Sequence, residues 1–493
     1  MASLNRESTP AAANGTSPPK PHSEGFLVRG RQAVRRAWRG WRRSTGAPIA
    51  GNIAADLPDR DLALVRQQID TCLAARGGEV SARAIAADLG RAYIGLNETG
   101  RWRFFDLLAR DYKADRDALT AAAAALQAAT DDATFADTQK QMRHALIPPR
   151  LRLLKQFNGL EEGVKFLVDL RADLMEITRR HGTDPEFQAL NRELYELLSS
   201  WFDVGFLELR RITWEAPASL LEKLIVYEAV HEIRSWEDLK NRLDSDRRCY
   251  AFFHPSMPNE PLIFVEVALV KGMADQIQTL LDESQPAADP ATADTAIFYS
   301  ISNAQDGLAG VSFGDFLIKR VVSELTREFP MLKTFATLSP IPGLRAWLET
   351  AFDQGDLTLE AAQAETIGRL NGNSDPTIYL MALFEQSDWL TDDTIAEQIR
   401  PILMRLCVTY MLTTITDRMG RKRAVDSVAH FHLSNGAQIE RLNWKADLSQ
   451  KGRRQSAGLM VNYLYRLSDI ERNHEEYKGA GRINCAGAIK SLA

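Results

Sequence analysis

The sequence predicts an α+β protein, an all-α helical segment followed by a strand-containing domain. Three observations carry this reading. Between about residues 55 and 200, apolar residues recur at spacings of three and four, which lines one face of a helix. After "WEAPASLLEKL", Trp214 to Leu224, the chain turns to runs rich in Val, Ile, Phe and Tyr. Those runs are bounded by Pro, Asn and Asp, as strands are. At 493 residues the chain exceeds one ordinary core, so two to four domains are expected. We divide it into a tail over 1–54, a helical segment over 55–200 and a further domain over 201–493.

The first 50 or so residues are rich in Ala, Ser, Pro and Gly, then strongly basic in "RGRQAVRRAWRGWRR", Arg29 to Arg43, which contains no acid. A mobile solvated tail is expected; an organellar transit peptide and a surface for anionic lipid are the alternatives. In the helical segment, Leu167, Leu170, Leu174 and Ile177 of "EEGVKFLVDLRADLMEITRR" form one apolar stripe. Similar runs occur in "DLALVRQQIDTCLAAR", "DALTAAAAALQAAT" and "NRELYELLSSWF". No catalytic cluster is visible among them, so a structural role is expected, either packing on a neighbouring domain or joining subunits.

Strands are expected in "RRCYAFFHPSMPNEPLIFVEVALV" and "TAIFYSIS". The second runs into "NAQDGLAGVSFGDFLIKRVVSELTREF", where a loop with Gly307, Gly310 and Gly314 meets a helix carrying Phe316, Leu317, Val321 and Leu325. Strand, glycine loop and helix outline a phosphate cradle, because glycines let the backbone approach an anion that the helix N-terminus favours. A plain turn is the other reading. The same loop spells G-x-S-x-G around Ser312, but a nucleophile elbow needs a strand leading straight into its serine, and the strand-like run ends near Ser302.

Further on, "RPILMRLCVTYMLTT" reads as a long apolar helix, whereas the stretch from "RKRAVDSVAHFHLSNGA" to "GLMVNYLYRL" does not look helical. Were Ala429 to Leu433 extended, His430 and His432 would share a face, but no third metal ligand stands at a suitable spacing. In "TFATLSPIPGL", Pro340 and Pro342 fix their own φ and push Ser339 and Ile341 toward extended geometry. That excludes a helix interior and, on this reading, a central strand. The segment is either a rigid connector or a mount that holds Ser339 for chemistry.

Charge and cysteines exclude several classes. The net charge of −5, from 60 basic and 65 acidic residues, predicts no general affinity for nucleic acid. Cys72, Cys249, Cys407 and Cys485 are far apart and form neither a zinc nor a disulfide pattern, which fits a reducing compartment. "LIFVEVALV", Leu262 to Val270, is too short to span a bilayer and contains Glu266.

Taken in order, "HPSMPNEPLIFVEVAL", "AIFYSIS", "GLAGVSFGDFLIKRVVSELTREFP", "LSPIPG", "FHLSNGA", "LNWKADLS" and "GLMVNYLY" resemble the blocks of the malonyl-CoA decarboxylase family. The match covers most of the chain from about Trp201 to Tyr465. The resemblance implies an N-terminal helical oligomerisation domain and a catalytic domain whose mixed sheet is like that of the GCN5-type (GNAT) N-acetyltransferases. It implies conversion of malonyl-CoA to acetyl-CoA and carbon dioxide, with no cofactor, neither metal nor organic prosthetic group.

By the same resemblance, Ser339 and His432 are catalytic and Tyr465 is an active-site residue. Ala309, Gly310, Val311, Ser312, Phe313, Gly314 and Asp315 form the CoA-contacting loop. Members of the family carry an acid where Ser312 stands here. A homotetramer, as a dimer of dimers, is implied, and the expected compartment is the cytoplasm, with the mitochondrion as alternative. A CoA-dependent acyltransferase and a non-enzymatic acyl-CoA sensor are the rival functions. The transferase pattern Q/R-x-x-G-x-G/A is not met by "QDGLAG".

Overall fold

The computed structural model describes residues 49–74, 78–182, 184–311, 317–371, 375–386, 388–417 and 420–492. Most of the basic tail therefore lies outside the described residues, as do Ser312, Phe313, Gly314, Asp315 and Phe316. The chain divides into two compact units, with the division between Phe166 and Leu167.

In the first unit, helices run over Asp59–Ala74, Gly78–Ile94, Glu98–Asp111, Arg116–Ala128, Asp132–Ala145 and Pro149–Asn158. Asn97, Asp115 and Asp131 each stand at an N-cap and accept backbone N–H groups of the turn that follows. Tyr93, Phe104, Phe105, Phe157 and Phe166 are buried together, and the Tyr93 ring lies 5.1 Å from Phe104 and 5.8 Å from Phe166. Burying each such ring is worth about 1.5–3 kcal/mol, which explains why the apolar period specifies these helices.

The second unit begins within the helix Gly163–His181, on which Leu167, Leu170, Leu174 and Ile177 are all buried, as their spacing predicts. After a second helix, Pro185–Trp201, comes the sheet. Its strands are β1 Glu208–Ile212, β2 Arg247–His254, β3 Met257–Val270, β4 Thr295–Asn303, β5 Thr334–Thr337 and β6 Ser339–Pro340. A small separate ribbon is made of β7 Thr414–Thr416 and β8 Lys422–Ala424, and β9 Gln438–Asn443 and β10 Met460–Leu464 return to the main sheet. The order is β1-β2-β3-β4-β5-β10-β6, with β9 paired to β10.

The sheet is mixed. β4 and β5 run parallel, joined by the glycine loop and the helix Leu317–Glu328, and the other pairs are antiparallel. A parallel pair needs such a crossover, since no hairpin can connect its strands. Pairing of β4 with β5 runs only from Thr295 to Phe298, opposite Thr334 to Thr337. One further bond, from Leu338 N–H to the Phe298 carbonyl at 3.0 Å, closes the ladder. Beyond it the two chains part, and a cleft opens at the carboxyl ends of the parallel strands. Open sheets commonly bind ligands there.

Two expectations are overturned. Thr334–Thr337 is an interior strand, because the proline restriction starts only at Ser339 and leaves the four residues before it free to pair on both sides. The prolines do confine Ser339–Pro340 to a two-residue strand at the end of the sheet order. Residues 429–433 are helical, within Ser427–Ser434, because Asp426 caps that turn by accepting the Ala429 N–H at 2.8 Å.

Candidate active site

The cleft at the strand ends has a volume of about 300 Å³. Phe298, Ser300, Ile301 and Asn303 of β4 form one wall. Ser339 and Pro340 form another, and Ser427, Val428, Phe431 and His432 a third. Two side chains 93 residues apart thus meet. Ser339 Oγ lies 3.1 Å from His432 Nε2, and both residues are buried, at 5% and 3% exposure.

Helical geometry explains why only one of the two histidines faces the cleft. Residues two apart on a helix point about 200° apart, so His430 and His432 cannot share a face. His430 Nδ1 lies 2.8 Å from the Tyr477 hydroxyl, whereas His432 Nδ1 lies 2.8 Å from the Tyr465 hydroxyl. The extended His-x-His pair is therefore absent, and the metal reading built on it goes with it. The Tyr463 ring stacks on the His432 imidazole at 4.4 Å and 26°.

Proton positions follow from the partners. Burial raises the Tyr465 phenol well above its ordinary range, so it stays protonated and donates to His432 Nδ1. Burial also pushes the His432 imidazole down to about 3, so at neutral pH it carries one proton, on Nε2. That proton is donated to Ser339 Oγ, and Ser339 in turn donates to Thr337 Oγ1 at 2.8 Å. Thr337 Oγ1 also accepts the Tyr463 N–H at 3.1 Å. This polarity is the reverse of a Ser-His nucleophile, in which the imidazole would take the serine proton. The near-neutral pKa that the residue type suggests does not hold for the resting site, because its ring is fully buried.

Behind the β4 wall sits a carboxylate that no sequence motif announces. Glu228 is buried and accepts the hydroxyls of Ser300 at 2.8 Å and Ser302 at 3.1 Å, together with the N–H groups of Val230 and His231. It holds Ser300 and Val230, both in the cleft lining, in fixed positions. No Lys, Arg, Asp or Glu lines the cleft among the described residues. Its polar residues are Tyr299, Ser300, Asn303, Ser339, Ser427 and His432.

Of the expected CoA loop, Ala309, Gly310 and Val311 are described. The Arg171 guanidinium donates to the carbonyls of Gly307 at 2.6 Å and Ala309 at 3.0 Å, and the Tyr195 hydroxyl donates to that of Gly310 at 3.3 Å. Gly310 has φ +81, a left-handed conformation that favours glycine. Gly307 is glycine for a different reason: a Cβ there would overlap the Val168 carbonyl. Arg171 and Tyr195 were invisible in sequence, because each reads as one more polar residue on the exposed side of an amphipathic helix. A larger cleft, about 460 Å³, lies between β1, β2 and the helix Leu317–Glu328, but its Arg211 and Glu328 pair with each other at 3.1 Å.

Comparisons agree with the family resemblance. Residues 205–493 match the family model described as the malonyl-CoA decarboxylase C-terminal domain, and residues 112–202 match that of its N-terminal domain. A mitochondrial malonyl-CoA decarboxylase of Anser anser anser is 37% identical over 423 residues, 83% of this chain and 82% of that protein. The Rattus norvegicus relative is 37% identical over 422 residues, 82% of this chain and 84% of its own length. The crystal structure of malonyl-CoA decarboxylase from Rhodopseudomonas palustris has a TM-score of 0.79 and 40% identity, covering 87% of this chain and 99% of that one. That from Agrobacterium vitis has a TM-score of 0.77 and 40% identity, with the same coverage.

Proposed function

This chain belongs to the malonyl-CoA decarboxylase family, and on that premise we propose how its residues carry the reaction. The activity is the conversion of malonyl-CoA to acetyl-CoA and carbon dioxide. The bond between the carboxylate carbon and Cα breaks, its electron pair moves into an enolate on the thioester, and Cα takes up one proton. The single observation that supports Ser339 and His432 in this role is their 3.1 Å contact in the cleft.

A malonyl carboxylate entering this cleft meets neutral polar and apolar groups and no cation among the described lining residues. Its desolvation favours departure as neutral carbon dioxide. The same negative charge raises the pKa of His432 from its resting value, so when substrate binds the imidazole takes up at Nδ1 one proton from solvent, the proton that the overall reaction consumes. Tyr465 then accepts from Nδ1–H by rotating its hydroxyl. Ser339 turns from Thr337 to the substrate, donates a hydrogen bond first to the enolate oxygen and then its proton to Cα as His432 Nε2–H reprotonates Oγ, which leaves the imidazole neutral with its proton on Nδ1. A fixed donor to such an oxygen is worth about 10²–10³ in rate, and a general acid about 10²–10⁴. The loop from Ala309 to Asp315, with its described part held by Arg171, takes the CoA portion.

Incubation with malonyl-CoA and no second substrate is the direct test. Acetyl-CoA and carbon dioxide are expected. Turnover only with an acceptor would favour the acyltransferase, and tight binding without turnover the sensor. We further propose a homotetramer, a dimer of dimers, with light scattering as its check. The compartment we propose is the cytoplasm, with the mitochondrion, named for the goose and rat relatives, as alternative.

A further inference from the structure

We propose that Asp426 is a positioning residue that sets the reach between Ser339 and His432. The inference rests on that pair carrying the reaction. Asp426 is buried and caps the helix Ser427–Ser434, accepting the Ala429 N–H at 2.8 Å. Its second oxygen accepts the Tyr410 hydroxyl at 3.0 Å, from the long helix Asp393–Leu412. Gly343, the last residue of S-P-I-P-G, packs against the same hydroxyl and carboxylate, a Cβ there falling 3.8 Å from Asp426 Oδ2. One side chain therefore ties together the helix that bears His432, the turn that bears Ser339 and a third element.

The links form a closed circuit. From Ser339 the chain runs four residues, two of them proline, to Gly343; packing on the Tyr410 hydroxyl, which donates to Asp426, crosses to that carboxylate; six residues of capped helix, about 9 Å along its axis, lead to His432; and the 3.1 Å contact returns to Ser339. Each covalent arm is stiff, one by its prolines and the other by its helix. The hydrogen bonds at Asp426 are thus the adjustable joint. Gly343 is required by this joint, since a Cβ there would overlap the Tyr410 hydroxyl, while the ring carbon behind it lies at 3.3 Å. That explains the glycine of a motif whose serine and prolines the mechanism already uses.

The test compares Asp426→Asn, Gly343→Ala, Tyr410→Phe and the double variant Gly343→Ala/Tyr410→Phe, with turnover expressed per site that binds acetyl-CoA. Asparagine keeps an acceptor for the cap but loses the one that takes the Tyr410 hydroxyl. Asp426→Asn is expected to lower kcat about 10–100-fold, with KM and acetyl-CoA affinity within about threefold of the parent. Gly343→Ala should lose about tenfold or more in kcat, Tyr410→Phe about threefold, and the double variant should recover most of what Gly343→Ala loses, because the clashing atom is gone. Full kcat in Asp426→Asn, or a KM that rises as kcat falls, would overturn the proposal. If Asp426→Asn does not fold, the double variant decides, and a double variant no better than Gly343→Ala overturns the joint. A parent that released no carbon dioxide would instead sink the functional reading on which this inference rests.

Discussion

Two segments follow the parallel strands of the sheet, the glycine loop after β4 and the S-P-I-P-G turn after β5, and they are held in place by different means. The turn is stiff in its own backbone, through Pro340 and Pro342, and is then packed at Gly343 against the Tyr410 hydroxyl that Asp426 holds. The described part of the glycine loop has no such stiffness and is held from outside, by Arg171 and Tyr195 reaching its carbonyls. The difference teaches how tolerance is distributed. Placing a reacting hydroxyl requires fractions of an ångström, whereas holding a long, many-contact CoA group requires only that donors face it. On the proposed reading of the site, the turn should govern kcat, and the loop KM.

The sharpest way to break that contrast is at the turn. Ser339→Ala and His432→Asn should each lower turnover by about two to four orders of magnitude. The double change should cost far less than the product, because the two act as a unit. Both variants should bind acetyl-CoA within about tenfold of the parent. Near-parental turnover in Ser339→Ala would reduce the turn to a connector.

At the loop, Gly310→Val puts a β-branched residue at φ +81 and should raise KM for malonyl-CoA about tenfold or more, with kcat little changed. Arg171→Met, which keeps the packing but not the donors, should do the same to a smaller degree. A fall in kcat alone, with KM unmoved, would erase the distinction between the two segments.

The smallest expected effect is on stability against pH. His432 sits at about 3 when folded, below its ordinary value of about 6.5, so folding favours its neutral form. Its contribution is complete above about pH 6.5 and is lost as pH falls toward 3. His231, pushed down to about 4 by burial, adds in the same direction. Denaturant midpoints measured from pH 7 to pH 4 should therefore fall, less steeply in His432→Asn, with the remaining slope shared by His231. Identical slopes in parent and variant would show that His432 is not buried neutral.

Much of this was legible in the sequence where a repeat or a stiff residue leaves a local mark. The apolar stripe at Leu167, Leu170, Leu174 and Ile177 gave its helix, and the prolines singled out Ser339. The helix over 427–434 was missed because its eight residues are too short to show a period, although Asp426 ahead of an apolar run was an available N-cap signal. Thr337, Glu228 and Arg171 were missed for another reason. Each acts through partners 70 or more residues away or through backbone groups, and no local spacing records such contacts.

The position of β10 has a consequence for how the chain is made. Met460–Leu464 is the last strand to be synthesised, yet it lies inside the sheet, between β5 and β6. A ribosome that has delivered everything up to β9 has delivered both Ser339 and His432, but β5 still offers an unpaired edge, and the Tyr463 and Tyr465 rings that steady the imidazole do not yet exist. Such an edge recruits strands from other chains. Newly made protein is therefore most prone to aggregate in the interval before Met460–Leu464 emerges, and it is there that a holding chaperone would have the greatest effect on yield.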